Sequence, residues 1–387
     1  MKMPTNAFTC ITVLCTLHVS ANGDQVIAAG KSHSMVVRTD GTVWGTGHNE
    51  YGALGDGTNK LRKTFVQATG ISGVTSISAG EYHSVVVKSD GTAWGTGMNT
   101  NGQLGDGTND DRNTFVQAKN MVSDVRAVAA GRFHTMVLKT DGTVWGVGRN
   151  GLGALGDGTN NHRNTFVQVI SGGVQAIAAG YRHSVVLKTD GTVWTTGWNG
   201  YGALGDGTNE KRNTFVQVAS DVRAIAAGRY HTMVVKSDGS VWSVGRNDFG
   251  KFGDGTTDTM RNTFVQVISG GVRAIAAGRK HTMVVKSDGT VWGAGYNVYG
   301  QLGDGTRKPD EITDRQTFVQ AKDMSDVKAL VAGMDHNLVV KSDGTVWSTG
   351  LNAHGQLGIN TKEDSDTFVK MEFATRRRSL RGGLLEE

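Results

Sequence analysis

The sequence is poor in proline and cysteine, with only two of each among 387 residues. It has 56 glycines instead, and no segment keeps a 3.6-residue apolar period, which argues against a helical fold. Apolar runs are also short. Because none reaches the ~18–20 residues that a membrane-spanning helix needs, the sequence predicts no transmembrane segment.

Both cysteines, Cys10 and Cys15, lie in the N-terminal segment 1–21, so disulfide bonding says nothing about the compartment of the remaining chain. Lys2, a mostly apolar run over residues 7–19 and small residues at the end favour a secretory signal for this segment. The alternative is a lead-in β-strand that helps to close the fold. On the first interpretation, a secreted or cell-surface location is favoured over the cytoplasm.

A unit of about fifty residues occurs seven times and contains a Gly-x-x-His turn whose glycines are 50, 51, 49, 48, 50 and 55 residues apart. A tryptophan follows each histidine by eleven residues, and an Asp-Gly pair lies between them. A period of this length indicates a solenoid, an array or a propeller. The turns are Gly30/His33, Gly80/His83, Gly131/His134, Gly180/His183, Gly228/His231, Gly278/His281 and Gly333/His336.

Each unit contains four short runs rich in β-branched and aromatic residues, which is typical of strands. The Asp-Gly pair between two of them predicts a tight hairpin in which both turn residues have positive φ. A solenoid would need a much shorter rung. The sequence therefore predicts one all-β domain over residues 22–371, a seven-bladed β-propeller with four-stranded antiparallel blades. The tryptophan of each unit is expected to supply much of the area buried between blades.

The units VRAIAAGRYHTMVVKSDGSVW and WGAGYNVYGQLGDGT resemble repeats of the regulator of chromosome condensation family. The resemblance runs through all seven copies and implies a seven-bladed propeller. It does not imply one function, because the family includes a nucleotide exchange factor for the Ran GTPase, a plant ultraviolet-B receptor and a bacterial β-lactamase inhibitor.

This sequence departs from two of these relatives. The exchange factor acts through a wedge-like insertion, whereas the only insertion here is about five residues, at 307–313. The receptor carries a Gly-Trp-Arg-His-Thr motif, whereas the turns here read Gly-Arg-Tyr-His-Thr from Gly228 and Gly-Tyr-Arg-His-Ser from Gly180. The missing insertion therefore argues against nucleotide exchange activity. The missing tryptophan motif gives no support for ultraviolet-B photochemistry. The inhibitor shares the plain layout of this chain.

Residues that recur at one position in every unit are more consistent with architecture than with catalysis. Zinc ligands lie within ~2.1 Å of the ion, but packed sheets are ~10 Å apart, so the seven histidines are expected to hold their turns by hydrogen bonds. The Gly-Asp-Gly-Thr segments lack the alternating carboxylates of a calcium loop and are expected to form turns. The sequence predicts no catalytic, cofactor-binding or metal-ligating residue, and no enzyme.

The positions that the repeat leaves free carry the functional information. In an antiparallel meander, the Gly-x-x-His turn and the loop after the tryptophan strand fall on the same rim of the ring, and Asp-Gly falls on the other. On the first rim, repeats three to six hold the residue types that dominate protein interfaces. The predicted binding residues are Arg132, Phe133, Arg149, Tyr181, Arg182, Trp198, Tyr201, Arg229, Tyr230, Arg246, Phe249, Arg279, Lys280, Tyr296 and Tyr299.

These observations predict a monomeric, non-enzymatic propeller that binds a protein partner, as a scaffold or inhibitor, through one rim. The first alternative is an exchange factor for a Ran-type small GTPase, and the second is a surface lectin, which exposed Trp198 would allow. The net charge of +5 is too mild to predict nucleic acid as the main partner. The Arg-rich segment 372–387 is predicted to be a flexible tail.

Overall fold

The computed structural model describes residues 25–257, 259–307 and 313–373. The predicted signal or lead-in strand at 1–21, both cysteines and most of the predicted tail lie outside the described residues, as does most of the insertion in repeat six. Those expectations, and the location that follows from the first, stay predictions. Among the described residues, no helix is both long and apolar enough to cross a membrane.

The described chain forms 28 strands in seven sheets, and each sheet contains four consecutive strands in chain order. All neighbouring strands are antiparallel, as in β1–β2 and β2–β3. Blades 1 to 4 comprise β1 Val26–Ala29, β2 His33–Val37, β3 Val43–Gly47, β4 Arg62–Gln67; β5 Val74–Ala79, β6 His83–Lys88, β7 Ala93–Gly97, β8 Arg112–Gln117; β9 Val125–Ala130, β10 His134–Lys139, β11 Val144–Gly148, β12 Arg163–Ile170; and β13 Val174–Ala179, β14 His183–Lys188, β15 Val193–Gly197, β16 Arg212–Ala219. Blades 5 to 7 comprise β17 Val222–Ala227, β18 His231–Lys236, β19 Val241–Arg246, β20 Met260–Ile268; β21 Val272–Ala277, β22 His281–Lys286, β23 Val291–Gly295, β24 Arg315–Gln320; and β25 Val327–Ala332, β26 His336–Lys341, β27 Val346–Gly350, β28 Ser365–Lys370. A single turn of 3-10 helix covers Asp248–Gly250.

The second strand of each blade is apolar without alternation because neighbouring blades cover both of its faces. In β18, every residue except the final lysine is buried. Buried side chains of consecutive blades merge into shared cores, such as the one that contains Met233 of blade 5, Val284 of blade 6 and Val339 of blade 7. The outer strands alternate instead, and in β4 only Phe65 is buried. The predicted seven-bladed propeller is therefore confirmed, with its core between the blades.

The seven tryptophans of the repeat lie at the edge of this core and are only partly buried. Trp292 packs against buried side chains, its indole N–H donates to Thr290 Oγ1 at 3.0 Å, and the Lys286 ammonium lies 3.7 Å from the ring centroid. The fully buried residues are mainly valine, methionine, alanine and leucine. The tryptophans thus pack along the edge of the core, and the expectation that they supply much of the area buried between blades stays a prediction.

The Asp-Gly hairpins differ from the predicted two-residue turn. Gly41 has a φ of 75°, but Asp40 is not among the residues with positive φ. Gly41 N–H donates to Arg38 O at 2.8 Å and Arg38 N–H to Thr42 O at 2.9 Å, which describes a type I turn followed by a left-handed glycine. Asp40 stabilises the turn through its side chain, because its Oδ1 accepts hydrogen bonds from the N–H and the hydroxyl of Thr42.

The ring closes with whole blades, a point that the sequence left open. The first strands of consecutive blades contact one another around a central channel, and β25 contacts β1. Met334 N–H of blade 7 donates to Gly30 O of blade 1 at 3.2 Å. Beyond β28, Phe373 lies beside β4 and stacks on Phe65 with ring centroids 4.6 Å apart. The last described residues therefore clasp the first blade.

Candidate functional site

Every Gly-x-x-His turn presents its two middle residues to one rim of the propeller, at one mouth of the channel. The turn is closed by a backbone bond from the glycine N–H to the histidine carbonyl, 2.9 Å in Gly30–His33. The histidine ring lies under the glycine, so that a Cβ on Gly30 would be 2.2 Å from Cε1 of His33. The glycine is thus required by the ring rather than by its backbone angle, and the turn is rigid.

Each histidine side chain forms a hydrogen bond with the following blade. The prediction that these side chains hold their own turns by hydrogen bonds was therefore wrong about the bonding partner. Nε2 of His183 lies 3.0 Å from Thr232 Oγ1 of the following blade, and Thr232 donates in turn to Ala203 O at 2.7 Å. The seventh histidine, His336, reaches Ser34 of blade 1 at 2.9 Å. The other pairs are His33–Ser84, His83–Thr135, His134–Ser184, His231–Thr282 and His281–Asn337.

Burial keeps these histidines neutral. It lowers the pKa of His33, His83 and His183 to about 3 and that of His134 to about 4. A neutral imidazole whose Nε2–H donates to a hydroxyl has no role as a cation on the rim. In the described chain, no group of three or more histidine, cysteine, aspartate or glutamate side chains is arranged to hold a metal ion.

The loop after the third strand lies directly beside this turn. His48 N–H donates to Ser32 O at 2.8 Å, and equivalent bonds join Trp198 to Arg182 and Arg246 to Tyr230 at 2.9 and 2.8 Å. A buried asparagine in each loop fixes its shape. Asn199 Nδ2 donates to Thr208 O at 2.9 Å, and its Oδ1 accepts from the Leu204 N–H at 2.9 Å.

The Gly-Asp-Gly-Thr segment braces the same loop, as predicted for a turn. Asp106 Oδ1 accepts bonds from the N–H and hydroxyl of Thr108, and Oδ2 pairs with Arg112 at 2.9 Å. Burial alone would raise the pKa of Asp106, but these hydrogen bonds lower it overall. Because the carboxylate is already bonded to threonine and arginine, its contacts explain it without an ion.

All fifteen predicted binding residues lie on these two loops or, for Arg246, at the end of β19, on one rim, and none is fully buried. They form contiguous groups instead of isolated side chains. The largest, which we name the aromatic cluster, consists of Tyr181, Trp198, Tyr201 and Tyr230. Its ring centroids are 5.0 to 5.6 Å apart, in the range of favourable edge-to-face contacts.

Arginines border the aromatic cluster. Arg229 Cζ lies 4.7 Å from the Tyr181 ring centroid and 4.9 Å from that of Tyr230. Arg246 lies 4.7 Å over Tyr201. Such contacts order the planar guanidinium groups in advance, which reduces the entropy lost on binding. The combination is suited to a partner that offers both apolar surface and carboxylates.

Two smaller groups extend the rim on either side. Phe249 and Tyr296 are 5.0 Å apart, with the Lys280 ammonium 4.1 and 4.9 Å from their centroids, and burial raises the pKa of Tyr296 to about 12. The second group joins His48, Tyr51, Tyr82 and His354. None of these four residues is among the fifteen predicted binding residues. The signal for this group was present as aromatic residues at the same free positions in repeats one, two and seven.

Acidic residues neutralise part of the rim. Glu81 is buried and pairs with Lys31 at 3.0 Å and with Arg132 at 2.5 Å. Arg279 pairs with Asp335 at 2.9 Å. Arg229 has no such carboxylate partner within the described chain, although it lines the same channel mouth. Arg229 is therefore the cation of this mouth that an incoming carboxylate reaches without displacing another acid.

Blade 5 carries a further charged pair that the sequence did not reveal. Lys251 is fully buried and contacts Asp248, which lies 3.5 Å from Arg246 at the rim. Phe249, between them, adopts a left-handed φ of 63°, a conformation that is costly for a bulky residue. The buried pair holds this loop, and with it Arg246 and Phe249, in one shape.

A family model for the RCC1-like domain matches residues 114–383. The chain belongs to the regulator of chromosome condensation family. Models of the regulator of chromosome condensation (RCC1) repeat also match residues 26–53, 74–103 and 40–87, so the matched family segments include blades on both sides of the ring closure. No curated protein matches the sequence.

Solved structures share the fold of this family member at low identity. Human WBSCR16 is 21% identical with a TM-score of 0.75, over 86% of this chain and 93% of that chain. Prp20p from Saccharomyces cerevisiae, reported with its binding properties to Gsp1p and histones, is 18% identical with a TM-score of 0.78, over 87% of each chain. Yeast RCC1 (Prp20) bound to Kap60 is 17% identical with a TM-score of 0.78, over 96% of this chain and 89% of that chain.

Proposed function

We propose that this propeller binds a protein partner through the rim that carries the aromatic cluster. The observation that supports the proposal is the continuity of the cluster: four aromatic rings and the bordering arginines Arg229 and Arg246 are in mutual contact while remaining partly exposed. Binding hot spots are enriched in tryptophan, tyrosine and arginine, and loops on a rigid scaffold are where binding residues concentrate.

The charges of the rim indicate the kind of partner. Arg132 and Arg279 are already paired with acids of the rim, so an additional carboxylate is best received at Arg229. The aromatic rings around it supply apolar area. The proposed partner surface therefore places an acidic side chain at the channel mouth and apolar side chains over Trp198 and Tyr230.

The test is a triple variant, Arg229→Ala, Tyr230→Ala and Trp198→Ala. Partners recovered by affinity capture on the wild-type protein should be lost from the variant, while far-UV circular dichroism and the melting temperature show that the fold is kept. The control is Lys60→Ala, Lys63→Ala and Gln117→Ala, three exposed positions on outer loops and strands. Equal recovery by the wild type and the rim variant would contradict the proposal.

Nucleotide exchange on a Ran-type GTPase is the second candidate function. It is supported by the fold shared with Prp20p, which was studied for its binding to Gsp1p. The experiment is release of a fluorescent guanine nucleotide from a Ran-type GTPase with and without this protein. Acceleration that the rim triple variant abolishes would establish the exchange function. An unchanged release rate would leave partner binding without exchange.

A further inference from the structure

The first strands of six blades share a β-bulge near their beginning. In blade 5, Val222 pairs with Lys236 and Ala224 with Val235, which leaves Arg223 as the extra residue. A bulge re-aims the side chain of its extra residue and recurs near functional sites. The extra residues, in blade order from blade 2, are Thr75, Arg126, Gln175, Arg223, Arg273 and Lys328.

These residues surround the mouth of the channel opposite the aromatic cluster. The first strand of each blade runs along the channel and ends at a Gly-x-x-His turn, so its bulged beginning lies at the other end. The side chains also reach between blades. Arg126 Nη2 donates to Gln175 O of blade 4 at 2.7 Å, and Arg223 Nη2 donates to Val272 O of blade 6 at 2.5 Å. Blades 3 to 7 thus form an arc with four cationic residues.

The arginines of this arc lack acidic partners. Arg126, Arg223 and Arg273 form no ion pair with a carboxylate in the ranges that the structure describes, and Nε of Arg126 and Arg273 is buried without a hydrogen-bond partner. Burial lowers the pKa of Arg126 and Arg273. A cationic group that is partly desolvated and unpaired is stabilised by an anion.

The acids of this rim belong to the Asp-Gly hairpins and to the turns that precede the first strands. A Cβ on Gly91 would lie 2.7 Å from the backbone of Asp124, and one on Gly289 would lie 3.2 Å from that of Asp326, so these aspartates sit against the Asp-Gly hairpins of the preceding blades. Burial lowers the pKa of Arg223, and the charge of Asp238 opposes this shift only in part without forming an ion pair. The three arginines therefore lie at this channel mouth without an ion-pair partner among the described residues.

We propose that this second mouth binds a compact polyphosphate anion, with Arg223 and Arg273 on adjacent blades as its main contacts and Arg126 and Lys328 at the ends of the arc. Phosphate oxygens match the planar fork of a guanidinium group. The proposed ligand carries several phosphate groups on a small frame, because cations on several blades face one opening. This site is separate from the rim of the proposed function.

The probe is inositol hexakisphosphate, titrated by calorimetry at low and at physiological salt. Wild-type protein should bind it, and the Arg223→Gln, Arg273→Gln variant should bind at least about tenfold more weakly because two charge-assisted contacts are lost. Lys60→Gln, Lys63→Gln removes the same charge from exposed positions and should leave the affinity unchanged. The rim triple variant should also keep it, which separates this inference from the proposed function.

Three outcomes would overturn the inference. The first is no heat of binding by the wild type at millimolar probe. The second is an equal loss in the arginine and lysine variants, which would show diffuse charge attraction instead of a site. The third is a single-stranded oligonucleotide that displaces the probe at lower concentration, which would assign the arc to an extended nucleic-acid backbone.

Discussion

At the scale of single residues, each letter of the Gly-x-x-His-Ser/Thr motif has its own physical cause. The glycine makes room for the histidine ring beneath it, the histidine bonds the next blade, and the hydroxyl accepts the corresponding bond from the previous blade. The bond from His183 of blade 4 to Thr232 of blade 5, and that from Thr232 back to Ala203 of blade 4, join these two blades twice. The recurring residues of the repeat are thus explained by contacts. The two middle residues of each turn make none of these contacts, so they can differ between repeats, and they lie on the rim.

The first prediction concerns the glycine. Gly180→Ala would place a Cβ 2.3 Å from Cε1 of His183 and 2.7 Å from Gly228 O, and relieving such overpacking typically costs about 1–3 kcal/mol. The expected result is a melting temperature several degrees lower, measured by circular dichroism.

Gly270→Ala is the matched control for this prediction, since Gly270 also lacks a positive φ and its Cβ would meet only Asp238 O at 3.8 Å. That substitution should be neutral or slightly stabilising, because it reduces the freedom of the unfolded chain. If both variants melt at the same temperature, the histidine ring is not the reason for the glycine.

The sequence predicts which residues lie on the rim but not which of them form ion pairs. The fifteen positions follow from the repeat frame, because the same two loops must lie on one rim in every blade. The repeat frame does not predict which of these residues form ion pairs. Glu81 meets Arg132, and Arg279 meets Asp335, across blade boundaries at separations of 51 and 56 residues. Side-chain reach between blades decides those pairs, and a periodic pattern holds no information on it.

At the scale of elements, the four-strand blade was predictable and its turn was not. Strand composition and the Asp-Gly signal both indicate a hairpin, but they do not distinguish a two-residue turn from a type I turn followed by a glycine. The threonine two residues after the aspartate determines which of these two turns forms. Thr192 receives support from Asp190 and supports Trp194 through its hydroxyl, so that turn and third strand are fixed together.

The second prediction concerns the element that follows β28. Phe373 stacks on buried Phe65, and Arg38 lies 4.5 Å from its ring centroid. Phe373→Ala should destabilise the protein by about 1–3 kcal/mol, less than a fully buried phenylalanine would, and should speed hydrogen exchange in β4. Val122→Ala, at a side chain that is 63% exposed, is the control. Unchanged exchange in β4 would show that the clasp does not stabilise blade 1.

At the scale of the whole molecule, the seven histidines make one closed circuit. Every blade is bonded to the next by an imidazole, and His336 returns to blade 1 through Ser34. The circuit works only while the imidazoles are neutral and packed. The same property that holds the ring together therefore makes its stability depend on pH.

The third prediction follows from the sign of these shifts. Burial lowers the pKa of His33, His83, His183 and His336 to about 3, against about 6.5 in the unfolded chain. Well above pH 6.5 neither state binds these protons, and the stability is unaffected. As pH falls below 6.5 the unfolded state alone takes up protons, so stability decreases continuously toward pH 3.

The measurement is the melting temperature at pH 7.5, 6.5, 5.5 and 4.5, a range that lies above the ordinary pKa of aspartate, so the loss of carboxylate pairs contributes little. It should fall slightly between the first two values, where the unfolded imidazoles begin to bind protons, and with increasing steepness below them. His183→Gln removes one buried imidazole and should melt lower at pH 7.5 yet fall less steeply, because one proton fewer is taken up on unfolding. A wild-type melting temperature that is constant down to pH 4.5 would mean that the imidazoles are not the neutral, buried links that close the ring.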